Sequence, residues 1–153
     1  YFHTLLVDRF DRKHIFALTG QADFAHSYDD TPVPIFERYF AGGAYSVRGF
    51  RYRAIGPHFG DQPLGGEARV LASAEYTFPL IGEFFRGLLF LDAGDIALTA
   101  ADFGDVRAAV GFGLRIQAPG LGPLPISLDF GFPLTKQDED ITHVFSFSIG
   151  AYF

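Results

Sequence analysis

The chain has 153 residues, a formal net charge of −6 and no cysteine. The acidic balance argues against a nucleic-acid-binding protein, which needs clustered Lys and Arg to neutralise phosphates, and the absence of cysteine excludes disulfides and thiolate metal sites. No apolar run approaches the roughly 20 residues that a membrane-spanning helix needs, whereas the alternating strands of a membrane barrel need no such run.

The composition and the residue pattern predict an all-β protein. The chain contains 19 Phe, 7 Tyr and 18 Gly, a profile typical of many strands joined by tight turns. Alternation of apolar with polar or small residues predicts an antiparallel up-and-down meander of seven strands, with ends uncertain by about two to four residues. The predicted strands are 1–8, 14–26, 67–79, 87–97, 104–117, 124–134 and 142–153.

The first residues and the longest connection bear on domain organisation. The opening "YFHTLLVDRF" has no Met and is typical of the middle of a strand, which indicates a piece of a longer protein. Residues 1–153 are predicted to form part of one barrel domain, with a long loop at about 27–66. Longer connections on one side and shorter turns on the other are typical of outer-membrane barrels.

The two faces of the predicted strands differ in composition. A soluble sandwich or lipocalin-like barrel would have a solvated face rich in Lys and Glu, but here that face holds mainly Gly, Ala and Ser with single charged residues. This composition favours a membrane barrel with an enclosed, wet lumen, although the soluble alternative remains open. The residues predicted to face lipid or detergent are Val110, Phe112, Leu114, Leu128, Phe130, Phe147 and Ile149.

The long loop contains a cluster of glycines, aromatic residues and arginines. In "RYFAGGAYSVRGFRYR", glycines at 42, 43 and 49 permit tight folding and can place Arg48 where an ordinary surface loop could not. The alternation of two adjacent predicted strands turns Glu75 and Asp92 toward the lumen.

Six stretches in order carry a family resemblance: "RYFAGGAYSVRGF", "ASAEYTFP", "FLDAGD", "GFGLRI", "PLPISLDFGFPL" and "FSFSIGAYF". With them the chain resembles the C-terminal barrel of the outer-membrane protein assembly family typified by BamA, also called the bacterial surface antigen family. The resemblance implies a bacterial outer-membrane protein that inserts nascent β-barrel proteins without covalent chemistry, and hence no enzyme and no cofactor. Its implied partners are outer-membrane lipid, nascent β-barrel proteins and accessory lipoproteins that bind a preceding POTRA region.

The resemblance also implies which residues form a site. The VRGF loop would fold into the barrel, so that Arg48 docks on Glu75 and Asp92, with Arg51 and Arg53 at the rim or in solvent. The remaining loop-motif residues are Gly42, Gly43, Val47, Gly49 and Phe50. An alternative is that this trio only pins a long loop and takes no part in a mechanism.

The last strand resembles the β-signal by which outer-membrane proteins are recognised for assembly. Its residues are Phe147, Ile149, Gly150, Tyr152 and Phe153. The alternative is that it is only the lipid-facing strand that closes a barrel. The strand pattern leaves the outer edges of the first and last strands without a partner within the chain, which predicts self-association of this chain.

The same residues leave other functions open and argue against other sites. A polypeptide-translocating pore of the two-partner secretion or plastid import type shares the VRGF loop, and a passive structural barrel or binding module is a third alternative. The five histidines are dispersed, which predicts no metal site. "KQDED" at 136–140 lacks the spaced ligands of a calcium loop and is predicted to be a solvated loop tip.

Overall fold

A computed structural model describes residues 1–7, 12–27, 31–60, 62–82, 84–99, 102–117 and 125–150 of the chain. The strands are β1 (Phe2–Val7), β2 (Lys13–Phe24), β3 (Gly49–Phe50), β4 (His58–Phe59), β5 (Gln62–Pro63), β6 (Ala68–Ile81), β7 (Phe85–Ala97), β8 (Arg107–Ile116), β9 (Ile126–Thr135), β10 (Thr142–His143) and β11 (Phe145–Ile149). No helix in this described part is long and apolar enough to cross a membrane.

Seven of the strands form one sheet in the order β1-β2-β6-β7-β8-β9-β11. Every neighbouring pair is antiparallel, so the predicted seven-stranded meander is confirmed. Because successive strands alternate in direction, the strand ends Phe24, Ala68, Ala97, Arg107 and Thr135 all lie at the same end of the sheet.

Two features of the strands differ from the sequence-based prediction. The alternation predicts a turn between residues 79 and 87, but β6 continues to Ile81 and β7 already begins at Phe85, because hairpin pairing extends almost to the turn. The two-residue strands β3, β4 and β5 are absent from the prediction, since two residues are too few to show an alternating pattern, and the predicted strand 142–153 is divided, because β10 pairs with β3 and β11 with β9.

One face of the sheet is apolar and uncovered. The residues predicted to face outward lie on it: Val110, Phe112, Phe130, Phe147 and Ile149 are exposed, and Leu114 and Leu128 are half-buried. The side chains that alternate with them, such as Ala109 and Asp129, are buried on the opposite, inner face.

The long connection between β2 and β6 covers part of that inner face. Here β3 pairs with β10, and the Arg51 amide donates a hydrogen bond to the Ile141 carbonyl oxygen at 2.8 Å. A buried apolar cluster joins the loop to the inner wall; its members are Ala41, Val47, Phe50, Ile55, Leu71, Ile96 and Ala109. In this region loop side chains therefore pack against the small residues of the wall.

Candidate functional site

A tight turn presents the VRGF segment to the inner wall. The Gly42 amide donates to Ser46 Oγ at 2.8 Å, and the Gly43 amide donates to the Val47 carbonyl oxygen at 3.2 Å. Gly42 and Gly43 have φ values of 105° and 95°, and a Cβ on Gly42 would collide with the Arg51 carbonyl oxygen. Glycine is therefore required for the turn that directs Arg48 inward.

Arg48 forms a two-pronged ion pair with Asp92 of β7. Arg48 Nε lies 2.7 Å from Asp92 Oδ2, and Arg48 Nη2 lies 2.7 Å from Asp92 Oδ1. The Arg48 backbone amide also donates to Asp92 Oδ2, at 3.1 Å. The Asp92 carboxylate is completely buried and Arg48 is only 5% exposed, so each charge depends on the other for solvation.

Strand β6 supplies two further partners. Arg48 Nη1 lies 2.7 Å from Glu75 Oε1, and Ser73 Oγ donates to Asp92 Oδ1 at 2.7 Å. Glu75 is one-third exposed, with 33% of its side chain accessible, so this second ion pair is better hydrated than the first. The structure thus brings Arg48, Glu75 and Asp92 together in one site.

The Phe90 ring packs against the Arg48 guanidinium, and the sequence pattern does not identify Phe90 as part of the site. The Arg48 guanidinium carbon lies 3.6 Å from the centroid of the Phe90 ring, in cation–π contact. Phe90 pairs with Glu75 across the strands, as Ser73 pairs with Asp92, so two cross-strand pairs surround one guanidinium. Phe90 and Ser73 lie two positions before Asp92 and Glu75 on the same face, but only the β6–β7 register brings all four together.

The Arg48 guanidinium is held in its protonated, positively charged form. Burial lowers the pKa of Arg48, but the hydrogen bonds and charge of Asp92, with further help from Glu75 and Asp129, outweigh burial and raise that pKa above its usual value. The loop therefore carries a permanent cation at this point.

Gly49 and Phe50 complete the VRGF segment, residues 47–50, which is also called the docking segment below. Gly49 has φ 93° and packs on Gly131 of β9, where an added Cβ on Gly131 would lie 2.5 Å from the Gly49 nitrogen. Val47 and Phe50 are completely buried in the cluster between loop and wall. Backbone contact with the wall thus supplements the ion pair.

The neighbouring arginines lie outside this site. Arg51 and Arg53 are both exposed, and the Arg53 guanidinium carbon lies 3.7 Å from the Phe40 ring centroid. Arg53 adopts a φ of 58°, an unusual backbone conformation for a residue with a side chain.

A second buried arginine lies near the same end of the sheet. Arg107 Nε on β8 is 3.0 Å from Asp140 Oδ2, and Asp95 Oδ1 is 3.9 Å from Arg107 Nη1. The prediction of a solvated tip for "KQDED" is wrong at its last residue, because Asp140 turns inward to this guanidinium while 136–139 stay exposed. Sequence alternation could indicate that Arg107 faces inward, but not which carboxylate it meets.

The residues proposed for the last strand are only partly described. Phe147 and Ile149 of β11 are exposed on the apolar face, and the Gly150 amide donates to the Pro125 carbonyl oxygen at 3.1 Å. Tyr152 and Phe153 lie outside the described residues. β11 pairs with β9 in continuous register.

The chain is similar to several known proteins. BamA of Neisseria meningitidis, an outer membrane protein assembly factor, is 31% identical, with 89% of this chain and 21% of that protein covered. BamA of Nitratidesulfovibrio vulgaris is 32% identical, with 79% and 16% covered. A SAM50-like protein of Schizosaccharomyces pombe is 30% identical, with 82% and 28% covered. The chain therefore spans less than a third of the length of each of these relatives.

A solved structure and a family domain agree with these relatives. The crystal structure of BamA from Haemophilus ducreyi lacking POTRA domains 1–3 superposes with a TM-score of 0.84 and 25% identity, with 97% of this chain and 33% of that chain covered. The resemblance to the BamA family is thereby confirmed, and the sheet is part of a transmembrane β-barrel. The Omp85 superfamily domain matches residues 1–153, and the chain accordingly belongs to the Omp85 superfamily.

Proposed function

We propose that this chain is the C-terminal barrel portion of a factor that assembles and inserts β-barrel proteins into the bacterial outer membrane, without covalent chemistry. The observation that carries the proposal is the docked VRGF loop, whose Arg48 is held by Asp92 and Glu75 inside a wall similar to that of BamA. The similarity to outer membrane protein assembly factors favours this function over a secretion pore or a passive barrel.

In this proposal the docked loop stabilises the inner wall, while an edge strand of the sheet pairs with a strand of a nascent β-barrel protein. The buried cluster of loop and wall residues stabilises β6, β7 and β8 from inside. At the end of the sheet, β11 pairs only with β9 within the described residues. A strand of a nascent β-barrel protein can pair with such an edge through backbone hydrogen bonds, as in other cases of strand addition.

The proposed partners follow from the two faces of the sheet and from the relatives. Outer-membrane lipid would contact the exposed apolar face that contains Phe112 and Phe147. Accessory lipoproteins would bind outside this chain, in a POTRA region. A bacterial location is proposed because two of the relatives are bacterial BamA proteins, although another relative is fungal.

A charge-swap experiment in the intact protein tests the proposal. Arg48→Glu places a carboxylate beside Asp92 and Glu75, and we expect it to lower the amount of folded outer-membrane porins, measured by heat-modifiable migration on gels. Adding Asp92→Arg should restore part of that assembly, because the attraction is re-formed with opposite signs. Arg53→Ala is the matched control and should assemble porins normally.

Two outcomes would contradict the proposal in different ways. Normal porin assembly with Arg48→Glu would show that docking of Arg48 is not needed for assembly and that the loop is only a surface cap. Normal porin assembly after depletion of the intact protein, together with loss of a secreted passenger protein, would indicate a translocating pore instead.

A further inference from the structure

Residues 137–143, here called the strap, contact both the second buried arginine and the docked loop. Asp140 Oδ2 accepts hydrogen bonds from Arg107 Nε at 3.0 Å and from the Gln137 amide at 2.7 Å. The Asp140 amide donates to the Gln137 carbonyl oxygen at 3.1 Å, which closes a turn. One carboxylate thus both shapes the strap and anchors it to β8.

The other end of the strap holds the VRGF segment. The Ile141 carbonyl oxygen accepts from the Arg51 amide at 2.8 Å, and β10 pairs with β3 in the register Thr142↔Phe50 and His143↔Gly49. Asp140 directly precedes these residues. Asp140 is therefore the direct chain neighbour of the residue that accepts a hydrogen bond from the Arg51 amide.

The burial of this cluster indicates that its geometry matters. Arg107 is 3% exposed and the Asp140 carboxylate is inaccessible, while Arg107 Nη1 also donates to the Asp105 carbonyl oxygen at 2.7 Å. Asp140 Oδ1 is buried without a hydrogen-bond partner. Burial of an ion pair with one unsatisfied oxygen adds little net stability, and in some proteins such a pair instead selects one arrangement of the chain.

We propose that Arg107 and Asp140 are positioning residues that hold the VRGF segment on the inner wall through the strap, a role that rests on the proposed assembly function. Arg48 fixes the segment to β6 and β7, and the strap fixes it from the side of β9. Loss of Arg107 releases the strap and β10, and it leaves the contacts of Arg48 with Asp92 in place. The docking segment is then held from one side only.

Hydrogen–deuterium exchange on the intact protein tests this inference. In Asp140→Asn and in Arg107→Gln, we expect exchange of the Arg51 amide and of residues 141–143 to be at least about tenfold faster, since one partner of a buried ion pair is lost. The double variant should exchange no faster than the more affected single variant, because both changes remove the same contact. Arg107→Lys keeps the charge but loses the planar guanidinium with its several donors. Its amide exchange rate should lie between those of wild type and Arg107→Gln.

Arg115→Gln is the matched control. Arg115 lies on β8, as Arg107 does, but near the other end of that strand, and its Nη1 is 2.6 Å from the Oδ1 of the buried Asp129. We expect it to leave exchange of the Arg51 amide unchanged. An equal acceleration in this control would show general loosening of the barrel and would overturn the inference, as would unchanged exchange in Asp140→Asn and Arg107→Gln.

Porin assembly, measured in the same strains, separates the inference from the proposed function. Faster exchange together with impaired assembly in Arg107→Gln supports a positioning role, whereas faster exchange with normal assembly refutes it. If depletion of the wild-type protein leaves assembly normal, the proposed function fails, and the positioning role in assembly fails with it. If depletion impairs assembly but the exchange data are negative, only the inference fails.

Discussion

Three kinds of contact meet at the Arg48 guanidinium. Asp92 accepts two parallel hydrogen bonds, Glu75 contributes a more hydrated ion pair, and Phe90 lies beneath the guanidinium plane. Ser73 supports the Asp92 carboxylate from the neighbouring strand. A planar cation with several donors fits this site, whereas a lysine ammonium can occupy only one point of it.

The residue-scale prediction separates charge from shape. Arg48→Ala leaves Asp92 buried without its cation, and we expect a loss of about 3–5 kcal/mol in the free energy of unfolding. Arg48→Lys keeps the charge but not the fork, and its loss should be smaller but measurable. Arg53→Ala removes one exposed contact with Phe40 and should cost at most about 1 kcal/mol. Denaturant titration of the intact protein in detergent measures all three, and equal stability of Arg48→Lys and wild type would show that fork geometry is unimportant.

At the scale of elements, the docking segment is held by backbone proximity as much as by charge. β3 has only two residues, yet Gly49 lies directly on Gly131 of β9 and β10 pairs along its edge. The glycines of the wall, which composition alone attributes to a wet lumen, include positions where the loop backbone approaches the strand. Close approach of this kind leaves no space for a Cβ.

The prediction for these elements uses two strand glycines with opposite surroundings. A Cβ at Gly131 would lie 2.5 Å from the Gly49 nitrogen and 2.8 Å from the Arg48 carbonyl carbon, so Gly131→Ala should destabilise the protein by about 1–3 kcal/mol and speed amide exchange at 48–51. A Cβ at Gly20 of β2 would meet no atom within 4 Å, so Gly20→Ala should be neutral or slightly stabilising. Amide exchange at residues 48–51 that is no faster in Gly131→Ala than in wild type would contradict the close packing of the loop on the wall.

At the scale of the whole molecule, the sheet has two different apolar surfaces. The inner one includes Leu71, Ile96 and Ala109 and is covered by Val47 and Phe50 of the loop, while the outer one exposes Leu91, Phe112 and Phe147. A water-soluble protein would bury both surfaces in a core. Membership of the Omp85 superfamily explains the outer surface, because a barrel wall in a membrane faces lipid.

A pair of phenylalanines tests the lipid-facing surface. Phe112 lies within β8 and is 51% exposed, and Phe36 lies in the loop and is 80% exposed. Phe112→Arg should lower stability in lipid vesicles by up to about 2–4 kcal/mol, the cost of a cation near the bilayer midplane, while Phe36→Arg should change it little. Urea titration in vesicles measures the difference, and equal small effects would place β8 outside the membrane.

The edges of the sheet lead to a prediction for the 153-residue chain expressed by itself. Within the described residues, β1 pairs only with β2 and β11 only with β9, so each leaves one row of backbone groups unpaired. Unpaired strand edges are costly in an apolar medium, and we expect copies to associate edge to edge in detergent. Light scattering corrected for bound detergent measures the mass, and a monodisperse monomer would contradict this prediction.

The sequence by itself determined the strand content, the meander and the faces of the strands. Alternation sets which side of a strand each residue occupies, and neighbouring strands of a meander pair in chain order, so Glu75 and Asp92 could be turned inward on adjacent strands without a structure. The resemblance carried by the VRGF segment added Arg48 as their expected partner. These conclusions need only local periodicity and the order of the motifs.

Only the tertiary structure decided which residues meet across long separations in the chain. The register of β6 and β7 places Ser73 and Phe90 around Arg48, and Val47 and Phe50 of the folded loop cover the wall at Leu71 and Ala109. The pairing of Asp140 with Arg107 joins residues from separate elements, and the charge-rich stretch around Asp140 resembles any exposed loop. Such contacts depend on register and on the path of a long loop, and neither quantity leaves a periodic trace in the sequence.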